Sequence, residues 1–205
     1  MALATALVPV AAAAQMRVTF GSQTVSLDGA GYERGNPKAP VWIVEFADFG
    51  CGYCEKFSKE TFPVLDSTFF ATGRIYFRYV PFITGMFRNS REAAEASICA
   101  AEQGKFFPMQ ELLYVKRKEW MAASDARATM SRYAASVGLD PSRFRKCAAG
   151  KAVTAQLMRN NDLARSLYVR GTPTFFINGE VVPGALPTDV FVKGLEGVLK
   201  VVGPK

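Results

Sequence analysis

The alternation of apolar and polar positions divides the chain into a strand-rich start, a long helical middle and a short mixed end. Arg17-Val18-Thr19-Phe20 and Thr24-Val25-Ser26-Leu27 alternate on either side of Gly21-Ser22 and predict two short strands. Asp28 to Pro40, rich in Gly, Pro and Asn, reads as a connecting loop. Val41 to Phe46 is apolar except for Glu45, and its length and β-branched content predict a buried central strand. From Cys51 to about Phe70 the period becomes helical, with Phe57, Phe62, Leu65 and Phe69 on one face. Pro63 removes a backbone donor there and predicts a bend. Arg74 to Val80 alternates and then turns apolar, a further strand. This strand–helix–strand order places residues 47–54 beyond the carboxyl end of a central strand, where open α/β sheets bind ligands.

Between Asn89 and Val169 the period is helical throughout. Segments 89–103, 105–118, 124–137, 141–149 and 151–167 are punctuated by Gly104, by Gly138 to Pro141 and by Gly150. They predict an all-helical insertion of about 80 residues. Strand-like runs then flank Asn178-Gly179, a strong hairpin signal. A last helix, Pro187 to Val202, would bury Val190, Phe191, Leu195, Val198 and Leu199. The resulting organisation is a leader over 1–15, one domain part over 16–88, the helical insertion over 89–168 and the domain's second part over 169–205.

Composition narrows the function classes. Of 205 residues, 49% are apolar and 21% charged, as in a folded globular protein. The net charge of +7 is spread thinly, with only Lys116-Arg117-Lys118 forming a run, so a solvated basic surface is expected and not a nucleic-acid groove. The absence of histidine removes Ser-His and Cys-His nucleophilic pairs and argues against a zinc enzyme. A zinc site made of cysteines alone would need paired short spacings, whereas Cys99 and Cys147 each stand alone, so no metal is expected. Residues 1–16 carry no side-chain charge and have a small-residue A-x-A pattern before Gln15, as at a signal-peptide cleavage site, although the usual basic start is missing. The other reading of this stretch is an unstructured N-terminus. No run reaches about 18 continuous apolar residues, so no spanning helix is expected beyond it. An even number of cysteines suits an oxidising compartment.

The chemistry concentrates in Cys51-Gly52-Tyr53-Cys54. At a helix start, unpaired backbone N–H groups and the macrodipole favour negative charge, so Cys51 should ionise more easily than a free thiol. Cys54 lies within reach to close a small disulfide ring. An ionised nucleophile with a resolving partner is the minimum equipment for thiol–disulfide exchange.

Glu45 to Cys54, the helical insertion, and Gly171-Thr172-Pro173-Thr174-Phe175-Phe176-Ile177-Asn178-Gly179 together resemble the DsbA-like thioredoxin-fold proteins, in that family's order and spacing. The resemblance runs from about Pro37 to Val202. It implies an α/β thioredoxin fold whose helical insertion separates a βαβ half from a C-terminal ββα half. Cys51 is similar to the family's exposed attacking cysteine and Cys54 to its buried partner. Pro173 matches the proline held in cis beside the active disulfide, which would leave the Thr172 backbone free to bind an extended substrate. Glu45 matches a buried acid able to shuttle protons to Cys54; the other reading is an acid at a solvent-facing sheet edge. Cys99 and Cys147 resemble a second disulfide within the insertion; the alternative is two buried thiols.

The dipeptide departs from the family's best-known oxidases, which carry Pro-His; here Gly52-Tyr53 supplies no charge to the thiolate and lies between the cysteines, where the resemblance implies that substrate docks. Gly-Tyr is familiar from DsbC-type isomerases, which have a separate N-terminal dimerisation domain; about 20 residues between the leader and the start of the resemblance near Pro37 are too few for one. The resemblance therefore implies a monomeric, periplasmic or extracytoplasmic oxidase. Such a protein introduces disulfides into unfolded or reduced substrate proteins, is reset by a DsbB-like or vitamin-K-reductase-like membrane reoxidase, and needs no organic cofactor. An N-terminal segment could also hold it to the membrane. The alternatives are an isomerase or reductase, and a client-binding chaperone with no redox role.

Overall fold

The computed structural model describes residues 17–20 and 23–202. The signal-peptide-like leader lies outside the described residues. Strands β1 (Arg17–Phe20) and β2 (Gln23–Ser26) form a separate antiparallel pair. The main sheet has five strands in the order β3-β5-β4-β6-β7: β3 (Tyr32–Gly35), β4 (Val41–Ala47), β5 (Ile75–Pro81), β6 (Thr174–Ile177) and β7 (Glu180–Pro183). Only β4 and β5 run parallel; the other neighbours are antiparallel.

Strand β3 falls in the stretch expected to be a loop. Its sequence, Tyr-Glu-Arg-Gly, has no apolar alternation because it is an edge strand with three of four residues exposed. What makes it a strand is pairing with β5, a partner some forty residues away.

The helix after β4 is a succession of turns: α1 (Gly52–Lys56), a π-helical stretch Phe57–Thr61, α2 (Phe62–Leu65) and a second π-helical stretch Asp66–Phe70. The first wide turn directly precedes Pro63, whose missing N–H and bulky ring interrupt the regular ladder. The insertion comprises α3 (Ser90–Ala101), α4 (Phe106–Val115), α5 (Arg117–Ala122), α6 (Ala126–Ser136), α7 (Pro141–Ala148) and α8 (Lys151–Ser166). The expected single helix over 105–118 is thus two, parted at Lys116, because the buried Trp120 ring anchors a new turn by donating from Nε1 to the Leu113 carbonyl at 2.7 Å. Asp125 and Asp140 cap α6 and α7 through their side chains. Helix α9 (Thr188–Val202) closes the chain.

Pleating sends alternate β4 residues to opposite faces. Val44 and Phe46 pack with Ala164 and Leu167 at the end of α8 and just beyond it. Val41, Ile43 and Ala47 face the larger core, which contains Cys51, Cys54, Phe57, Phe175 and Phe191. Glu45 shares their side. Side chains from the helices packed on that side, among them Phe57, Phe191 and Leu195, cover it, and Glu45 is only 1% exposed. At the far end, Asn178 and Gly179 take positive φ values of 48° and 96°, giving the tight turn that joins β6 to β7.

Candidate active site

The chain leaves β4 at Ala47 and turns through Asp48-Phe49-Gly50 into α1. Asp48 is fully buried and organises this turn. One carboxylate oxygen accepts from the Gly50 amide at 2.9 Å and from the Ser90 hydroxyl; the other accepts from the Thr84 amide at 2.8 Å and hydroxyl at 2.9 Å. Gly50 is required by space: a Cβ there would lie 2.2 Å from the Phe87 Cβ. Cys51 then occupies the N-cap of α1, with extended backbone angles and its amide bonded to the Asp48 carbonyl at 3.0 Å.

The Thr172–Pro173 peptide bond is cis. Its loop is held by the Thr174 hydroxyl, which donates to the Gly171 carbonyl at 2.7 Å, and by the Gly184 amide, which donates to the Pro173 carbonyl at 2.8 Å. The loop lies against the nucleophile: as a thiol, Cys51 Sγ donates to the Thr172 carbonyl at 3.2 Å.

Cys51 and Cys54 are both free thiols. Cys54 is completely buried. Cys51 is 6% exposed, less open than the family resemblance implied. Their ionisation is driven apart. Cys51 is lowered from 9.0 to about 5, first because the Cys54 thiol donates to its sulfur. Burial opposes this, while the Thr172 side chain and the backbone N–H groups of Cys54 and Tyr53 add to it. Cys54 is pushed well up by burial and by that same bond to Cys51. The Glu45 carboxyl is likewise raised well above its ordinary value, by burial and then by the neighbouring Cys51 charge. Among the described residues its Oε2 has no hydrogen-bond partner.

Of the residues singled out in the sequence, Cys51, Cys54, Glu45, Thr172 and Pro173 come together here, and Gly52 and Tyr53 form the exposed rim, Tyr53 being 67% exposed. Cys99 and Cys147 are bonded to each other and tie α3 to α7 within the insertion. Two further residues belong to the site. Asp48 was not singled out in the sequence, although an acid directly after an apolar strand is a signal that could have marked it. Arg117 was hidden in a basic run read as solvated surface; instead its side chain bonds to Glu55 and to the Gly50 carbonyl. Behind the pair, the Tyr79 and Tyr114 hydroxyls meet at 2.6 Å, with Phe49 packed on both rings. Among the described residues no group of three or more His, Cys, Asp or Glu side chains is arranged to hold a metal.

A nucleophilic cysteine at a helix N-cap beside a cis-proline loop is matched by the comparison with protein families: residues 28–196 fit the family model described as thioredoxin. The chain belongs to the thioredoxin family. Within it the architecture is DsbA-like, with the helical insertion between the two halves of the sheet. The crystal structure of Wolbachia pipientis alpha-DsbA1 superposes with a TM-score of 0.74 at 22% identity, over 84% of this chain and 92% of that one, a likeness of fold. A thioredoxin-like oxidoreductase from Silicibacter pomeroyi DSS-3 matches with a TM-score of 0.67 at 27% identity, over 84% of this chain and 94% of the other. In sequence, the Na(+)/H(+) antiporter NhaA 3 of Salinispora tropica is 36% identical over 71% of this chain and 21% of its own length. The chain spans between 21% and 57% of the length of the curated relatives it matches.

Proposed function

We propose that this thioredoxin-family chain is an extracytoplasmic thiol:disulfide oxidoreductase that donates disulfides to reduced or unfolded proteins. The observation that carries the reading is the asymmetry of the pair: Cys51 at the α1 N-cap is held near 5 while buried Cys54 is pushed up. A stabilised Cys51 thiolate makes it the better leaving group and makes the Cys51–Cys54 disulfide easier to reduce, hence more oxidising.

In the oxidised enzyme a substrate thiolate attacks Cys51 Sγ. The Cys51–Cys54 bond breaks and Cys54 leaves, taking up a proton. Glu45, on the face of β4 that packs with the cysteines, serves as the proton donor and acceptor for Cys54. A second substrate thiolate then attacks the substrate sulfur of the mixed disulfide and releases Cys51 as its stabilised thiolate. The substrate has lost two electrons and gained a disulfide; the Cys51/Cys54 pair holds those electrons. A membrane reoxidase of the DsbB or vitamin-K-reductase kind removes them. The Thr172 backbone on the cis-proline loop, whose carbonyl is held by the Cys51 thiol in the reduced pair, binds extended substrate once Cys51 is engaged in a disulfide, and Gly52 and Tyr53 lie beside it.

Export is supported by the A-x-A leader and by the Cys99–Cys147 bond, a chemistry of oxidising compartments. Among the described residues no helix is long and apolar enough to cross a membrane. The uncharged Gly52-Tyr53 dipeptide favours a second reading, isomerase or reductase. The equilibrium reduction potential against glutathione, measured in a Cys99→Ser/Cys147→Ser background, separates the two. A value well above thioredoxin's, roughly −270 mV, is expected, and a thioredoxin-like value would overturn the oxidase. Cys51→Ser should abolish exchange; loss of exchange with retained client binding is expected, and retained exchange would sink the mechanism.

A further inference from the structure

Arg117 reaches the redox pair from the helical insertion. It is the first residue of α5, and its guanidinium makes a fork across the cysteine loop: Nε donates to Glu55 Oε2 at 2.5 Å and Nη1 to the Gly50 carbonyl at 3.0 Å. Nη1 also lies 3.4 Å from Met121 Sδ, one turn along α5. Nη2 is the nearest group over Gly52, 3.8 Å from where a Cβ would stand. The guanidinium therefore touches the residue before Cys51 and the residue after Cys54, and spans the dipeptide between them.

These contacts act on the nucleophile in two ways. The Gly50–Cys51 peptide is fixed at both ends, its carbonyl by Arg117 and its N–H by the Asp48 carbonyl at 3.0 Å, which sets the direction in which the chain enters the N-cap. Glu55 puts a carboxylate in the first turn of α1, where its own N–H bonds the Cys51 carbonyl at 3.1 Å. Left alone, that negative charge would oppose a thiolate at Cys51. It is instead shared between Arg117 and Lys59, the latter at 2.6 Å, and both Glu55 and Arg117 are largely screened from solvent, with side chains 19% exposed. Burial alone would raise the Glu55 carboxyl, but hydrogen bonds from Lys59 and Arg117 outweigh it and hold it below its ordinary value. The charged and titratable groups around Cys51 are thus Glu45 and Asp48 from β4 and the following turn, Tyr53, Cys54 and Glu55 from α1, Lys59 behind Glu55, and Arg117 from α5.

We propose that Arg117 is a positioning residue of the redox site, supplying from the insertion the positive charge that the Gly52-Tyr53 dipeptide lacks, so that the Arg117–Glu55 pair tunes the Cys51 thiolate and its reduction potential. This rests on the oxidoreductase reading above. It assigns the helical insertion a direct electrostatic task at the redox pair.

The test uses the sign of the effect. Arg117→Gln and Glu55→Gln break the same ion pair, so a purely structural clamp would move both variants in the same direction. A charge effect moves them oppositely. The thiolate-to-thiol ratio of Cys51, read from thiolate absorbance of the reduced protein at a fixed pH near its midpoint, should fall about threefold in Arg117→Gln and rise about threefold in Glu55→Gln, the yield of a partly screened charge. The reduction potentials should follow in the same two directions, and Arg117→Lys, which keeps the charge, should stay near the wild type. Shifts of equal sign, no shift, or a Lys variant that follows Gln would overturn the proposal. If Arg117→Gln does not fold, Glu55→Gln and Arg117→Lys carry the sign by themselves. Failure of the wild type to exchange with glutathione overturns the oxidoreductase reading instead, and the thiolate titration still decides the role of Arg117.

Discussion

Reducing the Cys51–Cys54 disulfide should stabilise this fold, by an amount that grows with pH. The folded chain lowers Cys51 from 9.0 to about 5, so the ionised sulfur favours the folded state. For a depressed group the contribution is complete above the unfolded value, shrinks as pH falls and is gone below the folded value. Near pH 7 about two pH units of that window are in play, which at about 1.4 kcal/mol per unit gives roughly 2.7 kcal/mol. An energy on the order of 2–3 kcal/mol is equivalent to about 40–60 mV of extra oxidising power in a two-electron couple. The assay is urea unfolding of the oxidised and the reduced protein at pH values from about 5 to 7, in the same buffer. Differences in chain cross-linking do not vary with pH and drop out of the slope. The reduced form should gain on the oxidised form steadily across the window, and reduced Cys51→Ser should show no such gain. A flat difference would refute the claim that the fold stabilises the Cys51 thiolate, and with it the basis for an oxidase.

Other perturbations probe the surroundings of the pair. Burial raises the Glu45 carboxyl above 4.5, so its neutral form is favoured by folding; that stability is complete below about pH 4.5 and is lost as pH rises through the raised value. Glu45→Gln, neutral at every pH, should therefore gain on the wild type as pH rises while slowing proton transfer at Cys54, and parallel stability curves would count against its burial as an acid. Replacing Cys99 and Cys147 by serine opens a loop of 48 residues and should cost about 4 kcal/mol by the chain-entropy model, a fall in Tm of roughly 8–16 °C for a chain of this size, with the Cys51 titration unchanged. A fall of only a degree or two would show that the insertion holds itself together by packing. Gly50→Ala drives a methyl to within 2.2 Å of Phe87 and should cost about 1–3 kcal/mol and misplace Cys51, seen as slower exchange; wild-type stability would show that Phe87 moves aside freely.

The parts of the molecule that could be read from the sequence are those whose cause is local. The apolar run of β4, the Asn178-Gly179 turn and the helical periods between 89 and 167 each carry their signal within a few residues, and each is present. The same holds for the cysteine spacing, because the placement of Cys51 at an N-cap needs only the strand before it and the helix after it. Strand β3 was not legible, since Tyr32 to Gly35 show no alternation and are recruited by the free edge of β5. Arg117 was not legible either: nothing distinguishes it from Lys116 and Lys118 in sequence, and only the path of α5 turns its side chain toward Glu55.

The sequence by itself determined where the redox pair lies, which strand and helix carry it, and that a Thr-Pro loop follows far along the chain, because local periodicity and turn chemistry act over a few residues. Only the tertiary structure decided the chemistry around that pair. Burial of Glu45 came from packing helices onto one face of β4, and the union of Cys99 with Cys147 from packing α3 against α7. The bond from Cys51 to the Thr172 carbonyl spans 121 residues, and the contacts of Arg117 with Glu55 and Gly50 span 62 and 67. Dielectric environment and the partners of a charge are properties of neighbours in space, and no window along the chain contains them.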